Sequence, residues 1–296
     1  MIFIDAIDAT IDQKVKSVCA PLFATGQFLQ NGHNEATINA TVTFVKFESR
    51  IYAVTCHHVL SAFLSQALKT GRRIAPSIHS GRSIHQFHAY GPQGQYRWTF
   101  NSCRDFPSND NINDQRKLAE LERRNLERPD IAIADLTDTW NTISTLRNAD
   151  AINLNDWVEP DWSVIQPVWM AYGFPDGHKY QTDDKIAAPM PRIAVELASS
   201  IPSPDKPTYT LCSTLTSEHG WGFSGISGGP VLVAHATEDR YAYVGITYEG
   251  APSAKSLEKN SETFIDEKDI VLKGYQLTPT IFREWLTQLK FGVELS

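Results

Sequence analysis

Apolar and polar residues alternate along short segments of the chain, and two neighbouring segments show this most clearly. Residues 41–47 (TVTFVKF) and 51–55 (IYAVT) are rich in β-branched and aromatic side chains, and the three residues between them favour a turn. This pattern predicts a β-hairpin. Apolar residues then recur at helical spacing from Val59 to Leu68 and stop before Gly71, which predicts a short helix directly after the hairpin.

Short β-prone segments separated by Gly, Pro, Asp and Asn continue along most of the chain. Many short strands in succession predict an all-β fold of the sandwich or barrel type. The further strands are predicted at 83–90, 96–100, 131–136, 164–172, 192–197, 208–212, 231–234 and 241–248.

Two polar stretches interrupt this succession of predicted strands, and a predicted helix follows the last strand. Residues 104–128 are polar and charge-dense, and residues 251–274 are rich in Ser, Lys and Glu, so both are predicted to be surface insertions. Near the end, Thr278 and Pro279 precede an apolar stripe at helical spacing. An N-cap residue, a proline at the first helical position and such a stripe together predict a C-terminal helix.

Composition narrows the class of protein. The 296 residues include 27 Lys and Arg and 34 Asp and Glu, a formal charge of −7, with 42% hydrophobic residues. These values are typical of a globular protein and exclude a disordered chain. The acidic balance, without a basic stripe, argues against a nucleic-acid partner.

Membrane association and metal binding are not expected either. No stretch approaches the roughly 18 consecutive apolar residues of a membrane span, and the acidic N-terminal segment is unlike a secretory signal. We therefore expect a cytoplasmic protein. The four cysteines are far apart and form no C-x-x-C pair, so neither a disulfide nor a zinc site is expected.

The sharpest candidate for chemistry is Ser227, within residues 225–231 (GISGGPV). A serine hydroxyl needs a nearby base to become a nucleophile and backbone N–H groups to hold the oxyanion that forms on attack. Glycines on both sides allow the backbone to adopt such a shape. Taken alone, the segment could equally be a turn that leads into a strand.

A base and an orienting acid are available elsewhere. His57 and His58 lie where the second hairpin strand passes into the predicted helix, a junction that would hold an imidazole rigidly. Asp130 heads an apolar strand, with Asp135 as the alternative. Each of these residues alone would more commonly have a structural role. Only their combination with Ser227 indicates catalysis.

Together these segments resemble the trypsin/chymotrypsin-like serine proteases, in particular bacterial-type, cytosolic trypsin-like peptidases, whose catalytic residues occur in the order His, Asp, Ser. The resemblance covers about residues 18–290. The matching segments are T-x-x-H at 55–58, D-I-A at 130–132, G-x-S-G-G-P at 225–230, a G-[YF]-P-like turn at 171–175 and a substrate-pairing strand at 244–250.

The resemblance implies a chymotrypsin-like fold of two six-stranded antiparallel β-barrels with a C-terminal helix packed outside them. The expected units are an N-terminal barrel at 1–150, a C-terminal barrel at 151–276 and the helix at 277–296. No cofactor is expected. The expected partners are a protein or peptide substrate and a regulatory protein, for which segment 104–128 is the candidate docking or gating element.

The resemblance also implies roles for individual residues. Ser227 would be the nucleophile of an endopeptidase, His58 its general base and Asp130 the residue that orients the base. The oxyanion would be held by the backbone N–H groups of Gly225 and Ser227. The register of T-x-x-H favours His58 over His57.

The sequence departs from the family pattern at the residue that governs activation, and it leaves the substrate specificity open. Digestive members carry an aspartate before the serine that pairs with a new N-terminus, and Ile226 occupies that position, so activation by such cleavage is not expected. Trp221 would restrict the primary pocket to small side chains, whereas Glu249 would attract a basic one, and the sequence leaves both open. The predicted substrate-binding residues are Trp221, Gly222, Phe223, Tyr248, Glu249 and Gly250.

Two other functions fit parts of the pattern. G-x-S-x-G is also the nucleophile elbow of α/β-hydrolase esterases, but that elbow runs into a helix, which a Gly-Gly-Pro sequence disfavours. A pseudoprotease that acts as an interaction module without turnover is the second alternative. A metalloenzyme is disfavoured because His85 and His88 would point to opposite faces of a strand.

Overall fold

The computed structural model describes residues 2–25, 39–62, 75–78, 100–106, 114–160, 168–175, 180–182, 185–187, 190–199, 203, 205–214, 225–234, 241–252 and 269–290. The α-helices in these ranges are α1 (Ile2–Val18), α2 (57–62), α3 (Gln115–Leu126), α4 (Trp140–Arg147) and α5 (Pro279–Gln288). The strands are β1 (Cys19–Thr25), β2 (Asn39–Phe47), β3 (Arg50–Thr55), β4 (Ala75–Ile78), β5 (Asn101–Ser102), β6 (Ala132–Asp135), β7 (Ile152–Asn153), β8 (Val168–Tyr172), β9 (Tyr180–Thr182), β10 (Lys185–Ala187), β11 (Arg192–Leu197), β12 (Thr208–Thr214), β13 (Pro230–Ala234), β14 (Tyr241–Pro252) and β15 (Asp269–Gln276).

The N-terminal half contributes a seven-stranded sheet in the order β4-β1-β2-β3-β6-β5, with β7 pairing in parallel with β2. The predicted hairpin is present as β2 and β3, whose last pair is Phe47 with Arg50. Both faces of these strands are buried: Phe44 and Ala53 belong to one hydrophobic cluster, and Val54 belongs to another on the opposite face. The hairpin therefore forms the centre of this sheet.

The C-terminal half contains a closed antiparallel barrel in the order β11-β12-β15-β14-β13-β8. Its interior is filled by aliphatic side chains such as Leu211, Val231 and Leu272, each with no exposed surface. The prediction of a mostly β protein with a six-stranded antiparallel barrel is confirmed. β14 carries a β-bulge between Thr247 and Glu249, which bends this strand beside the end of β13.

The C-terminal helix is confirmed as α5. The side chain of Thr278 accepts a hydrogen bond from the backbone N–H of Ile281, and Pro279 occupies the first helical turn. Phe282 is fully buried, and its ring meets those of Phe47 and Tyr52 at centroid distances of 5.5 and 5.4 Å. The helix thus packs outside the barrel, on the N-terminal sheet.

The helix α1 is an element that the sequence pattern did not predict. Ile11 and Val15, one helical turn apart, are buried with Met170 and Leu232 of the C-terminal barrel. The hydroxyl of Tyr172 donates a hydrogen bond of 2.9 Å to Asp12 of this helix. None of the described helices is long and apolar enough to cross a bilayer.

One predicted segment boundary needs correction. Segment 251–274 is not wholly an insertion, because its last residues form β15, where Ile270 and Leu272 alternate inward. The Ser, Lys and Glu residues before them masked this alternation. Segment 104–128 contains α3, an exposed helix with one buried residue, Leu121. The strands predicted at 83–90 and 96–99, and the helix beyond residue 62, lie outside the described residues.

Candidate active site

Ser227 lies in a tight turn that leads directly into β13. Gly225 and Gly228 have φ angles of 98° and 90°, in the left-handed region that glycine adopts without strain. A Cβ atom at Gly228 would lie 2.0 Å from the backbone oxygen of Thr41, so a larger residue does not fit there. Because a strand and not a helix follows Ser227, the turn differs from the elbow of an α/β-hydrolase.

The turn is attached to its own barrel by backbone hydrogen bonds. Gly228 N–H donates to Thr247 O at 2.7 Å, and Thr247 N–H donates to Gly229 O at 2.8 Å. Ile226, the residue before the serine, is fully buried within the barrel's hydrophobic core. Its apolar side chain anchors the turn in this core.

His58 lies in the first turn of α2, which begins two residues after β3 ends. Its Nε2 atom is 3.0 Å from Ser227 Oγ, and its Nδ1 atom is 2.7 Å from Asp130 Oδ2. The backbone N–H of His58 also donates to Asp130 Oδ1 at 3.0 Å. The three predicted residues therefore form one continuous chain of hydrogen bonds.

Burial differs among the three hydrogen-bonded residues. The side chain of Asp130 is 8% exposed, whereas that of His58 is 46% exposed. Ser227 is buried. An imidazole that is open to solvent on one side and held by a buried carboxylate on the other can exchange protons with a bound molecule.

Asp130 is surrounded by groups that favour its charged form. Burial by itself would raise the pKa of Asp130, but the hydrogen bonds from His58 and the positive charge of Arg104 outweigh burial, and the pKa is lowered. The phenol oxygen of Tyr275 accepts a hydrogen bond from the Asp130 backbone N–H at 3.0 Å. Arg104 and Tyr275 were not predicted as parts of the site.

His57 points away from Ser227 into a pocket of its own. Its Nδ1 atom is 2.7 Å from Ser102 Oγ, its Nε2 atom is 3.0 Å from Ser61 Oγ, and its ring stacks on Phe106 at 4.6 Å. Burial is the main cause that lowers the pKa of His57. Both ring nitrogens are thus used in contacts within the N-terminal half.

Asp135, the alternative acid, lies at the other end of β6 from Asp130. It forms an ion pair with Arg50 at 3.2 Å and accepts a hydrogen bond from the Thr137 hydroxyl. These contacts are structural and lie beside Tyr52, with which Asp135 is paired in the sheet.

The predicted specificity residues on β14 lie beside the serine. The Oγ atom of Ser227 lies 3.4 Å from the backbone oxygen of Tyr248, and the Tyr248 ring packs on Tyr275 at 4.4 Å. Glu249 forms an ion pair with Lys273 at 3.0 and 2.9 Å. A paired carboxylate attracts a basic side chain less strongly than a free one. Trp221, Gly222 and Phe223 lie outside the described residues.

Comparisons with known proteins give similar structures but no family. No protein-family model matches the chain, and no curated protein sequence does. Similar solved structures include a thermostable serine protease AL20 from an extremophilic microorganism, with 12% identity, a TM-score of 0.44, and coverage of 94% of this chain and 99% of that one. The protease Anisep from Arthrobacter nicotinovorans has 10% identity, a TM-score of 0.41, and coverage of 92% and 95%.

Proposed function

We propose that this protein is a serine endopeptidase that cleaves peptide bonds through an acyl-enzyme on Ser227. The observation that carries the proposal is the chain of hydrogen bonds from Asp130 through both ring nitrogens of His58 to Ser227 Oγ. Nucleophile, base and orienting acid in mutual contact constitute the arrangement that activates a serine.

The chemistry follows from these contacts. His58 Nε2 accepts the proton of Ser227 Oγ as this oxygen attacks the carbonyl carbon of the substrate, and the carboxylate of Asp130 stabilises the imidazolium that forms. The backbone N–H groups of Gly225 and Ser227 are the proposed donors to the oxyanion. His58 then gives its proton to the leaving amine, and water repeats the sequence to release the acid.

The edge of β14 supports a peptide as the substrate. Residues 249–252 of β14 pair with β15 on one side, whereas the pairs with β13 involve residues 241–246. None of the described strands pairs with the other edge of 249–252, and this stretch follows directly after Tyr248, whose backbone oxygen lies beside Ser227. An extended peptide can add to such an edge as a further strand, which favours a peptide over a simple ester.

Serine-directed labelling tests the proposal. The purified protein should react with a fluorophosphonate probe, and mass spectrometry should locate the adduct on Ser227. Ser227→Ala should abolish both labelling and cleavage of a peptide library, whereas the matched variant Ser224→Ala should still be labelled. A folded wild-type protein with neither labelling nor cleavage at about pH 6–9 would favour an interaction module without turnover.

A further inference from the structure

The backbone oxygens of the turn around Ser227 all have donors. Those of Ile226 and Gly229 bind within the C-terminal barrel, to Gly229 N and Thr247 N at 2.8 Å each. The other three bind strand β2 of the N-terminal sheet. These are Gly225 O with Thr41 Oγ1 at 2.9 Å, Ser227 O with Thr41 N at 3.0 Å, and Gly228 O with Thr43 Oγ1 at 2.7 Å.

Thr41 makes two of these three contacts and connects a further segment. Its hydroxyl donates to Gly225 O and accepts a hydrogen bond from the backbone N–H of Phe174 at 2.9 Å. The residue is fully buried. A buried hydroxyl that donates to one segment and accepts from another holds both at a fixed distance, because neither partner can be replaced by water without opening the interface.

The turn geometry matters for catalysis because peptide groups are planar. The N–H of each residue points opposite to the C=O of the residue before it, so a fixed carbonyl fixes the following N–H. The bond from Gly229 N to Ile226 O therefore orients the Ser227 N–H. The bond from Thr41 Oγ1 to Gly225 O fixes the preceding peptide plane, which carries the Ile226 N–H and lies between the planes of the Gly225 and Ser227 N–H groups.

We propose that Thr41 is a positioning residue for this site: its hydroxyl holds the peptide between Gly225 and Ile226, and so restricts how the N–H groups of Gly225 and Ser227, one on each side of this peptide, can rotate relative to each other. The inference rests on the proposed hydrolase function and deepens it. None of the three contacts from β2 to the turn involves a charged side chain. We term these three contacts the clamp, and none of them contains a titratable side chain.

The matched pair Thr41→Val and Thr41→Ser tests the hydroxyl. Valine keeps the shape of threonine and removes the donor, whereas serine keeps the donor. Loss of one oxyanion donor costs about 10²–10³ in kcat, so a loosened donor should cost about 10–100-fold. We expect this loss in kcat for Thr41→Val with KM changed by less than about threefold, and kcat within about fivefold of wild type for Thr41→Ser.

Thr55→Val is the control for a general loss of stability. Thr55 is fully buried and its hydroxyl donates to Thr41 O at 2.9 Å, so it binds strand β2 instead of the turn. This variant should lower the melting temperature about as much as Thr41→Val but reduce kcat much less. Equal kcat losses in the two variants, or an unchanged kcat in Thr41→Val, would overturn the proposal.

Hydrogen exchange separates failure of this proposal from failure of the proposed function. The peptide that contains residues 225–230 should exchange faster in Thr41→Val than in Thr41→Ser under native conditions, whether or not the protein is active. If the wild type proves inactive, this difference would still support the clamp while the hydrolase proposal fails. Equal exchange in the two variants would overturn the clamp.

Discussion

The guanidinium of Arg104 lies 3.7 Å from Asp130 Oδ2, the same carboxylate oxygen that binds His58 Nδ1. Arg104 is only 19% exposed at its side chain, and its Nε atom donates to the backbone oxygen of Arg128 at 3.0 Å. The buried acid is therefore shared between an imidazole and a permanent cation. This arrangement keeps Asp130 ionised but reduces the negative potential that it exerts on His58.

Arg104→Gln should shift the pH dependence of catalysis. Without the cation, the pKa of Asp130 should rise towards its ordinary value, so activity should begin to fall at a higher pH on the acid side of the kcat/KM profile than in wild type. Arg104→Lys keeps the charge and should show a smaller shift. The groups that face Asp130 besides Arg104 and His58 are His57, Cys56, Tyr248 and Tyr275.

The control for this prediction is the thermal stability of both variants, because Arg104 also binds Arg128. A profile that stays in place while the melting temperature falls would show that Arg104 is only structural.

The two adjacent histidines should respond very differently to removal. His58→Ala should lower kcat by about 10⁴ or more, since it removes the base that contacts Ser227. His57→Ala should retain activity within about tenfold, because His57 contacts Ser61 and Ser102 instead. Steady-state kinetics on one peptide, with circular dichroism to confirm folding, would measure both. The reverse pattern would assign the base to His57.

Local patterns were sufficient for the elements that depend on neighbouring residues. The hairpin of β2 and β3 and the cap at Thr278 follow from alternation and from capping chemistry over a few positions. The approach of His58, Asp130 and Ser227 was predicted through the resemblance to a known family. In contrast, β15 was hidden because its alternation follows a long polar run.

The supporting contacts of the site could not be predicted because they join segments that are distant in sequence. Thr41 and Gly225 are 184 positions apart, and Asp130 and Tyr275 are 145 apart. Nothing near Thr41 distinguishes it from other threonines of a β-strand. Thr41 and Thr43 share one face of β2, and only the fold shows that both are fully buried.

His57 should make the folded state sensitive to acid. Burial lowers the pKa of His57 below its unfolded value of about 6.5, so the unfolded chain binds a proton that the folded chain does not. Stability from this residue is present above pH 6.5 and is lost as the pH falls towards the folded pKa. Thermal denaturation should show a fall in melting temperature between about pH 7.5 and 5.5 that is about 2 °C smaller in His57→Gln than in wild type. Parallel curves would contradict this.

The two ends of segment 104–128 contact each other. The residues that we term the clasp are Arg104, Asp105, Asn125 and Arg128. Asp105 N–H donates to Asn125 Oδ1 at 3.0 Å, and Asn125 Nδ2 donates back to Asp105 O at 2.9 Å. Arg128 forms an ion pair with Asp105 at 3.1 Å. The clasp therefore brings the two ends of the segment together immediately before Asp130.

Two replacements distinguish the clasp from the helix α3 that it carries. A Gly/Ser linker in place of residues 108–122 removes most of α3 but keeps the clasp and Phe106, so kcat/KM on a short peptide should stay within about threefold of wild type. A linker in place of 105–127 also removes Asp105, Asn125 and Phe106. The two ends of the segment are then no longer held together, so kcat should fall by about tenfold or more because Arg104 is held less firmly beside Asp130. Equal losses in the two variants would instead identify α3 as a gate. Retained activity on the peptide, with altered cleavage of a folded protein in the first replacement, would identify α3 as a docking element, because an exposed helix can contact a large substrate without reaching the triad.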